Sequence, residues 1–240
     1  MTTYLMSKLS FVYCFSKNLA VTEEQYTVSL ELLESSTKLL GEFFKFKIVT
    51  DSDTVADLNH LTKDIEIVDT KKFVFLDDFK ISLLETLLPD EILVDPDILM
   101  KRKPIIENNK DIIFDYEDSP QQKWYIQEIE ELKGTLLYDR IKQAKNIPFI
   151  PNIGFLRINN TALLSEYIKM YKVYSKDILD KIQVSFPKFS ILLGQYLLGI
   201  LLYEGNYSYF NLRRVNSGKV YIHLGGEQKY RKFKVNKSVI

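Results

Sequence analysis

Cysteine is almost absent from this chain of 240 residues. The single one, Cys14, excludes an intrachain disulfide and suits a reducing compartment. It lies in the apolar run 9–15, where a small core residue is the expected role. Net charge is absent as well. Lys+Arg and Asp+Glu both number 32, so no global field argues for nucleic acid or an anionic membrane as partner. No hydrophobic run reaches the ~20 residues that span a bilayer; the most apolar stretch, 189–203, is interrupted by Gly194, Gln195 and Gly199 and predicts a buried helix. The first residues lack an apolar core and a small-residue cleavage site, so no secretory signal is expected and the expected location is cytoplasmic. Internal repeats and low-complexity tracts are missing too.

What remains is a chain with 46% hydrophobic and 27% charged residues, enough apolar material for a sizeable core. Charge is uneven only at the end, where eight Lys and Arg from Arg213 onward meet one acid, Glu227. That terminus reads either as a solvated polar tail or as a contact for phosphate or a membrane surface.

The order of patterns is strand, helix, strand. Residues 9–15 are β-rich. Thr22-Glu-Glu-Gln25 starts a helix that Gly41 stops. Residues 46–51 predict a second strand, 52–61 a short helix, 65–69 a third strand, 73–88 a helix ended by Pro89, and 91–95 a fourth strand. Strands joined by helices of this length imply crossovers and a mainly parallel sheet, whose ligands bind beyond the carboxyl ends of the strands. Asp51, Asp69, Asp95 and Asp97 all fall at such ends. Further on, 111–115 and 152–158 predict strands, 122–144 a helix weakened at Gly134, and Asn160 or Thr161 caps another helix to about residue 174. Residues 207–212 and 220–224 read as a hairpin through Asn216-Ser-Gly218. One domain over 1–240 is expected, with 1–100 as its nucleotide-binding half and 101–240 as the acceptor-side half.

Two constellations can carry chemistry. In Asp95-Pro96-Asp97, the proline ends strand pairing and leaves two hard oxygen ligands suited to Mn²⁺ or Mg²⁺; a polar turn uses the same letters. His223 is one of only two histidines and precedes Gly225-Gly226, where glycines permit close approach of a phosphate. Lys229 comes next as a point charge. His60 has no such setting.

Together these motifs resemble the GT-A fold glycosyltransferases, in particular the glycogenin and bacterial galactosyltransferase group and related capsule-type transferases, with Asp95-x-Asp97 and His223-x-x-Gly226-x-x-Lys229 in the two signature places. Phe46-Lys-Ile-Val-Thr-Asp51 resembles the family's second strand, the helix around Lys80 the one before the paired acids, Asn152-Ile-Gly154 the segment beside the donor sugar, and Gly194-Gln195 the helix beneath that sugar. The resemblance implies a metal-dependent transfer of a sugar from a nucleoside diphosphate sugar, with UDP as the expected nucleotide. Asp95, Asp97 and His223 would be the metal ligands. Tyr13 or Cys14, Asp51, Lys80, Asn152, Gly154, Gly226 and Lys229 would contact the donor, and Gln195 with Asp97 would be catalytic. A carboxylate base, if used, would come from Asp115, Glu117 or Asp118. The chain departs from the pattern at Pro96, at Gly194, where an acid is usual, and at Tyr230. The acceptor is a glycan, a lipid-linked sugar or a protein, with no nucleic acid expected, and the basic C-terminus is the candidate for peripheral membrane contact. Two other readings use the same residues: a non-catalytic binding or assembly protein with the same shell, and a phosphotransferase of the haloacid dehalogenase type.

Overall fold

The computed structural model describes residues 9–20, 22–73, 76–144, 146–182, 188–216 and 220–224. In chain order these form β1 (Ser10–Cys14), α1 (Glu23–Gly41), β2 (Lys45–Thr50), α2 (Val55–Leu58), β3 (Ile65–Ile67), α3 (Leu76–Leu84), β4 (Glu91–Val94), β5 (Ile98–Met100), β6 (Ile112–Phe114) and β7 (Glu117–Asp118). Next come α4 (Lys123–Glu131), α5 (Leu136–Gln143), β8 (Ile150–Pro151), β9 (Phe155–Ile158), α6 (Thr161–Lys181), α7 (Lys188–Gly205), β10 (Tyr209–Asn211), α8 (Leu212–Val215) and β11 (Tyr221–His223). The fold is α/β: a mixed, mainly parallel sheet of seven strands flanked by helices, as the alternation of strand and helix patterns implied. The chain divides into two compact units built from interleaved segments.

The first unit comprises the described residues within 1–74, 87–106 and 212–240. Its strands run in the order β4-β1-β2-β3, all parallel. Phe11, Val12 and Tyr13 are fully buried in the middle of this sheet. The helix α1 covers it because Tyr26, Val28, Leu32, Leu33 and Leu40 recur on one face, and Thr22 caps its start by accepting from the Gln25 N–H at 3.1 Å. In the strand register, Tyr13 lies opposite both Ile48 and Val94, and Thr50 opposite Ile67. The residues just past β1, β2, β3 and β4 therefore emerge along one edge. Beside this sheet, β5 and β11 form a separate antiparallel pair.

The second unit comprises the described residues within 75–86 and 107–211. Here β6 lies between β10, parallel to it, and β9, antiparallel. The helix α7 carries fully or nearly fully buried Leu192, Leu193, Leu197, Leu198 and Ile200, the apolar helix expected near residue 200. Among the described residues no helix is long and apolar enough to cross a membrane.

Two local expectations change. Residues 122–144 form two helices, because Gly134 takes φ 92°, a left-handed value that ends the first; Thr135 then caps α5 by accepting from the Tyr138 N–H at 3.2 Å. The hairpin expected from 207–224 does not form. Residues Tyr209–Asn211 pair with β6 and Tyr221–His223 with β5, the chain turning through α8 between them. Asn216, the expected turn residue, uses its side chain elsewhere: Oδ1 accepts from the Ile105 N–H at 2.8 Å and Nδ2 donates to the Ile105 carbonyl at 2.9 Å.

Two outcomes test these assignments. A Cβ at Gly134 would meet nothing within 4 Å, so Gly134→Ala is expected to cost about 1 kcal/mol from backbone strain alone, read as a lower denaturant midpoint. Asp111, at the start of β6, has its carboxyl held below the ordinary range by hydrogen bonds from Asn160 and then Ser208. Its contribution is therefore complete above the unfolded carboxylate pKa and lost as pH falls through the lower folded one. Thermal unfolding below about pH 5 should show a steeper acid loss in the wild type than in Asp111→Asn.

Candidate functional site

At the carboxyl end of β4 the chain turns through Asp95-Pro96-Asp97, closed by the Ile98 N–H on the Asp95 carbonyl at 3.1 Å. It then runs straight into β5. That strand was not foreseen, although three apolar residues after a Pro-Asp turn are a strand signal. It matters because β11 pairs with it: His223 stands opposite Ile98, and the Leu224 N–H donates to the Asp97 carbonyl at 3.1 Å. His223 Nε2 consequently lies 3.4 Å from Asp97 Oδ1. One ligand atom from each of Asp95, Asp97 and His223 fits within 4.8 Å of the others. Asp97 is buried, and the other two are half-buried. Two carboxylate oxygens and an imidazole nitrogen, mutually within reach, are donors of the kind that suit a divalent ion such as Mn²⁺. The predicted metal residues are thus brought together. Gly226 and Lys229, expected beside them, lie outside the described residues.

Along the same edge a cavity of about 330 Å³ is lined by Asn18, Asp51, Asp53, Asp69, Thr70 and Lys71 among others. Asp51 anchors its wall. Its Oδ1 accepts from the Thr54 N–H at 3.0 Å and hydroxyl at 2.9 Å, and its Oδ2 accepts from the Ser16 hydroxyl and, at 3.3 Å, from Thr70. This buried carboxylate ties together the segments after β1, β2 and β3, so its part in the cavity is to hold the wall. Tyr13, expected against a nucleotide, is corrected: it is fully buried and its hydroxyl hydrogen-bonds with Ser36 of α1 at 2.7 Å. Burial pushes its phenol well above the usual tyrosine range. Cys14 is also buried.

In the second unit, Gln195 on α7 is buried and its Oε1 accepts from the Tyr125 hydroxyl at 2.8 Å. The same hydroxyl lies 3.4 Å from Asp118 Oδ2. Burial and then the Asp118 charge keep the Tyr125 proton in place far above the usual tyrosine range. Of the three candidate bases, Asp115 is fully buried, Glu117 is exposed, and only Asp118 is half-buried and coupled to Gln195 through Tyr125. Gly194 has an explanation. A Cβ there would meet Ile153 Cδ1 at 3.3 Å, Asp77 Oδ2 at 3.4 Å and the Tyr167 hydroxyl at 3.5 Å. The carboxylate beside this position comes from Asp77 on α3. Lys80, expected to extend toward a diphosphate, is instead buried with its ammonium 3.9 Å from Asp77. Asn152 shapes its own turn, Oδ1 accepting from the Gly154 N–H at 3.0 Å.

No family model and no curated protein matches this chain. Among solved structures it is similar to the glycosyltransferase GlyE of Streptococcus pneumoniae TIGR4, with TM-score 0.47 and 12% identity over 86% of this chain and 45% of that one. The apo form of GlyE gives TM-score 0.42 and 16% identity over 85% and 45%. This chain thus spans under half the length of GlyE. It is also similar to the CTP:phosphocholine cytidylyltransferase LicC of Streptococcus pneumoniae, with TM-score 0.50 and 10% identity over 95% and 97% of the two chains. The last of these likenesses is one of fold.

Asp51 offers the test of the cavity wall. Asp51→Ala strands buried hydroxyls of Ser16, Thr54 and Thr70 and is expected to cost about 3 kcal/mol, measured as a fall in the denaturant midpoint.

Proposed function

We propose that this chain is a metal-dependent glycosyltransferase that moves a sugar from a nucleoside diphosphate sugar, with UDP as the nucleotide, to an acceptor. The observation that carries the proposal is the convergence of Asp95, Asp97 and His223 at the carboxyl edge of a parallel sheet, where such folds bind ligands. Those three residues would hold the divalent ion. Bound there, it supplies positive charge against the diphosphate as that group leaves.

The rest of the edge has matching chemistry. Pro96 fixes its own φ and restricts the backbone of Asp95, which narrows the conformations open to the turn that carries both acids. Thr70 and Lys71, in the segment after β3, bring a hydroxyl and a cation to the cavity, which has room for a nucleoside. Asp51 keeps these walls in place, an indirect role that replaces the ligand contact expected of it. Gly226 and Lys229 keep the phosphate-contacting role that their motif implies. In the second unit Gln195 and Asp118, joined through Tyr125, are the polar groups assigned to the sugar side of the reaction.

A thermal-shift series with UDP-sugars, with and without Mn²⁺, tests the reading on wild type and Asp97→Ala. The expected result is stabilisation of about 2.7 kcal/mol at a donor concentration 100 times its dissociation constant, abolished by chelation of the metal and by Asp97→Ala. Stabilisation by nucleoside triphosphates with none from diphosphate sugars would redirect the assignment to nucleotidyl transfer. No stabilisation by any nucleotide, from a protein with an intact unfolding transition, would support the non-catalytic shell.

A further inference from the structure

At the start of α4, in the second unit, sits a polar and aromatic cluster that joins Asp118 and Gln195 to two residues the proposed reaction does not use, Gln122 and Trp124. Trp124 is the only tryptophan of the chain. Its indole is half-buried and stacks on Tyr125, with ring centroids 3.6 Å apart and planes at 29°. Tyr125 beneath it is fully buried and is packed in turn against Tyr196, centroid to centroid 5.9 Å. The indole is therefore a rigid plate with part of its surface open to solvent. Trp124 Nε1 donates to Gln122 Oε1 at 2.8 Å, and Gln122 Nε2 donates to Asp118 Oδ1 at 2.8 Å. Tyr125 closes the ring onto Asp118 and Gln195.

One detail separates this arrangement from ordinary helix capping. Gln122 occupies the N-cap position of α4, yet its side chain makes no capping hydrogen bond. It bridges the indole and the carboxylate instead. The helix start thus forgoes the cap that Ser, Asp or Asn would bring there, and the side chain present holds Trp124 and Asp118 in one fixed relation. Tyr125 on its oxygen likewise fixes the Gln195 carboxamide, so that its Nε2 donors have one direction.

A flat, immobile aromatic surface beside a carboxylate and an oriented amide is what a pyranose requires: its axial C–H face is apolar, and its rim of hydroxyls both donates and accepts. We propose that Asp118, Gln122, Trp124 and Gln195 form a carbohydrate-binding subsite, with the sugar ring stacked on Trp124 and its hydroxyls donating to Asp118. The proposal rests on the glycosyltransferase reading in one respect only, that it makes the bound sugar the acceptor; the acceptor is then a glycan or glycan-bearing molecule.

Because Trp124 is the sole tryptophan, its emission reports on this site and no other. The full chain is titrated with lactose, maltose, cellobiose and simple methyl glycosides, with neither metal nor nucleotide present. The expected result is a saturable change in tryptophan emission with at least one of them. Asp118→Asn should raise the half-saturation concentration about tenfold or more, the scale of a hydrogen bond to a charged group, with the melting temperature little changed. Trp124→Phe should abolish the binding heat of the same sugar by calorimetry. If that variant fails to fold, Gln122→Ala, which keeps the indole and releases its orientation, should weaken binding in the same assay. Emission that is flat with every sugar, or a half-saturation unchanged in both Asp118→Asn and Gln122→Ala, overturns the subsite. Saturable sugar binding without any nucleotide-dependent stabilisation would uphold the subsite while the donor reading fails, and the reverse result would fail the subsite alone.

Discussion

The antiparallel pairing of β5 with β11 is the contact on which the candidate site depends. Three residues on each side suffice, with Tyr221, Ile222 and His223 opposite Met100, Leu99 and Ile98. Without this pairing the two aspartates are a turn at a strand end and His223 is a residue more than 120 positions away along the chain. With it, the histidine arrives in a fixed register, since a slip of one residue would turn its side chain to the opposite face. The pair is too short to hold by its own ladder, and it is anchored from both ends. Lys101 donates its N–H to the Val220 carbonyl at 2.8 Å, Leu224 donates to Asp97, and Leu224 packs against Val28 and Leu32 of α1. On the other strand, Ser36 of α1 donates its hydroxyl to the Ile98 carbonyl and meets the Tyr13 hydroxyl. A hydrogen-bonded line therefore runs from β1 through α1 into β5. Buried and fully engaged, such a line fixes geometry more than it adds stability.

Asp51 plays the corresponding part at the cavity. Parallel strands leave the segments after them with unpaired backbone groups and no turn partner of their own, so something must hold those segments together. A single carboxylate taking donors from Ser16, Thr54 and Thr70 does so for three of them at once. Charge-assisted hydrogen bonds are the stronger kind, and their cost in desolvation is offset by the number of donors. The consequence is a wall whose Ser16, Thr54 and Thr70 hydroxyls are fixed on one carboxylate.

The sequence revealed elements where the pattern was strong and local. Apolar runs marked β1, β2 and β4, the Thr22 cap marked α1, and Gly134 marked the place where one predicted helix becomes two. The grouping of Asp95, Asp97 and His223 was legible too, because those residue types were marked by their positions at the ends of apolar strands. What could not be read was direction. Alternation along β1 says that Tyr13 and Cys14 point to opposite faces, yet nothing local says which face α1 covers, and Tyr13 proved to be the residue under the helix. Lys80 failed for a related reason: helical spacing alone does not predict that a lysine will turn inward to Asp77 three residues earlier. The hairpin failed because Asn216-Ser-Gly218 is a sound turn signal, while Asn216 satisfies a distant strand end at Ile105 that only the fold brings near.

Gly194 shows how a missing motif residue can be misread from sequence alone. In the motif resemblance, an acid is expected at this position, and its loss suggests a weakened site. In the structure the space beside the Gly194 Cα already belongs to the Asp77 carboxylate, to Ile153 and to the Tyr167 hydroxyl. A Cβ alone would need only a small give from Ile153, but a longer side chain would meet these groups, and a second carboxylate would add like-charge repulsion. Glycine at this position thus leaves the space beside α7 to a carboxylate presented by α3. The carboxylate beside this part of α7 comes from a position more than a hundred residues earlier in the chain, with the Lys80 ammonium 3.9 Å from it. Gln195 on the same helix is held by Tyr125. The group across Tyr125 from Gln195 is Asp118, an acid that no short motif would have paired with it.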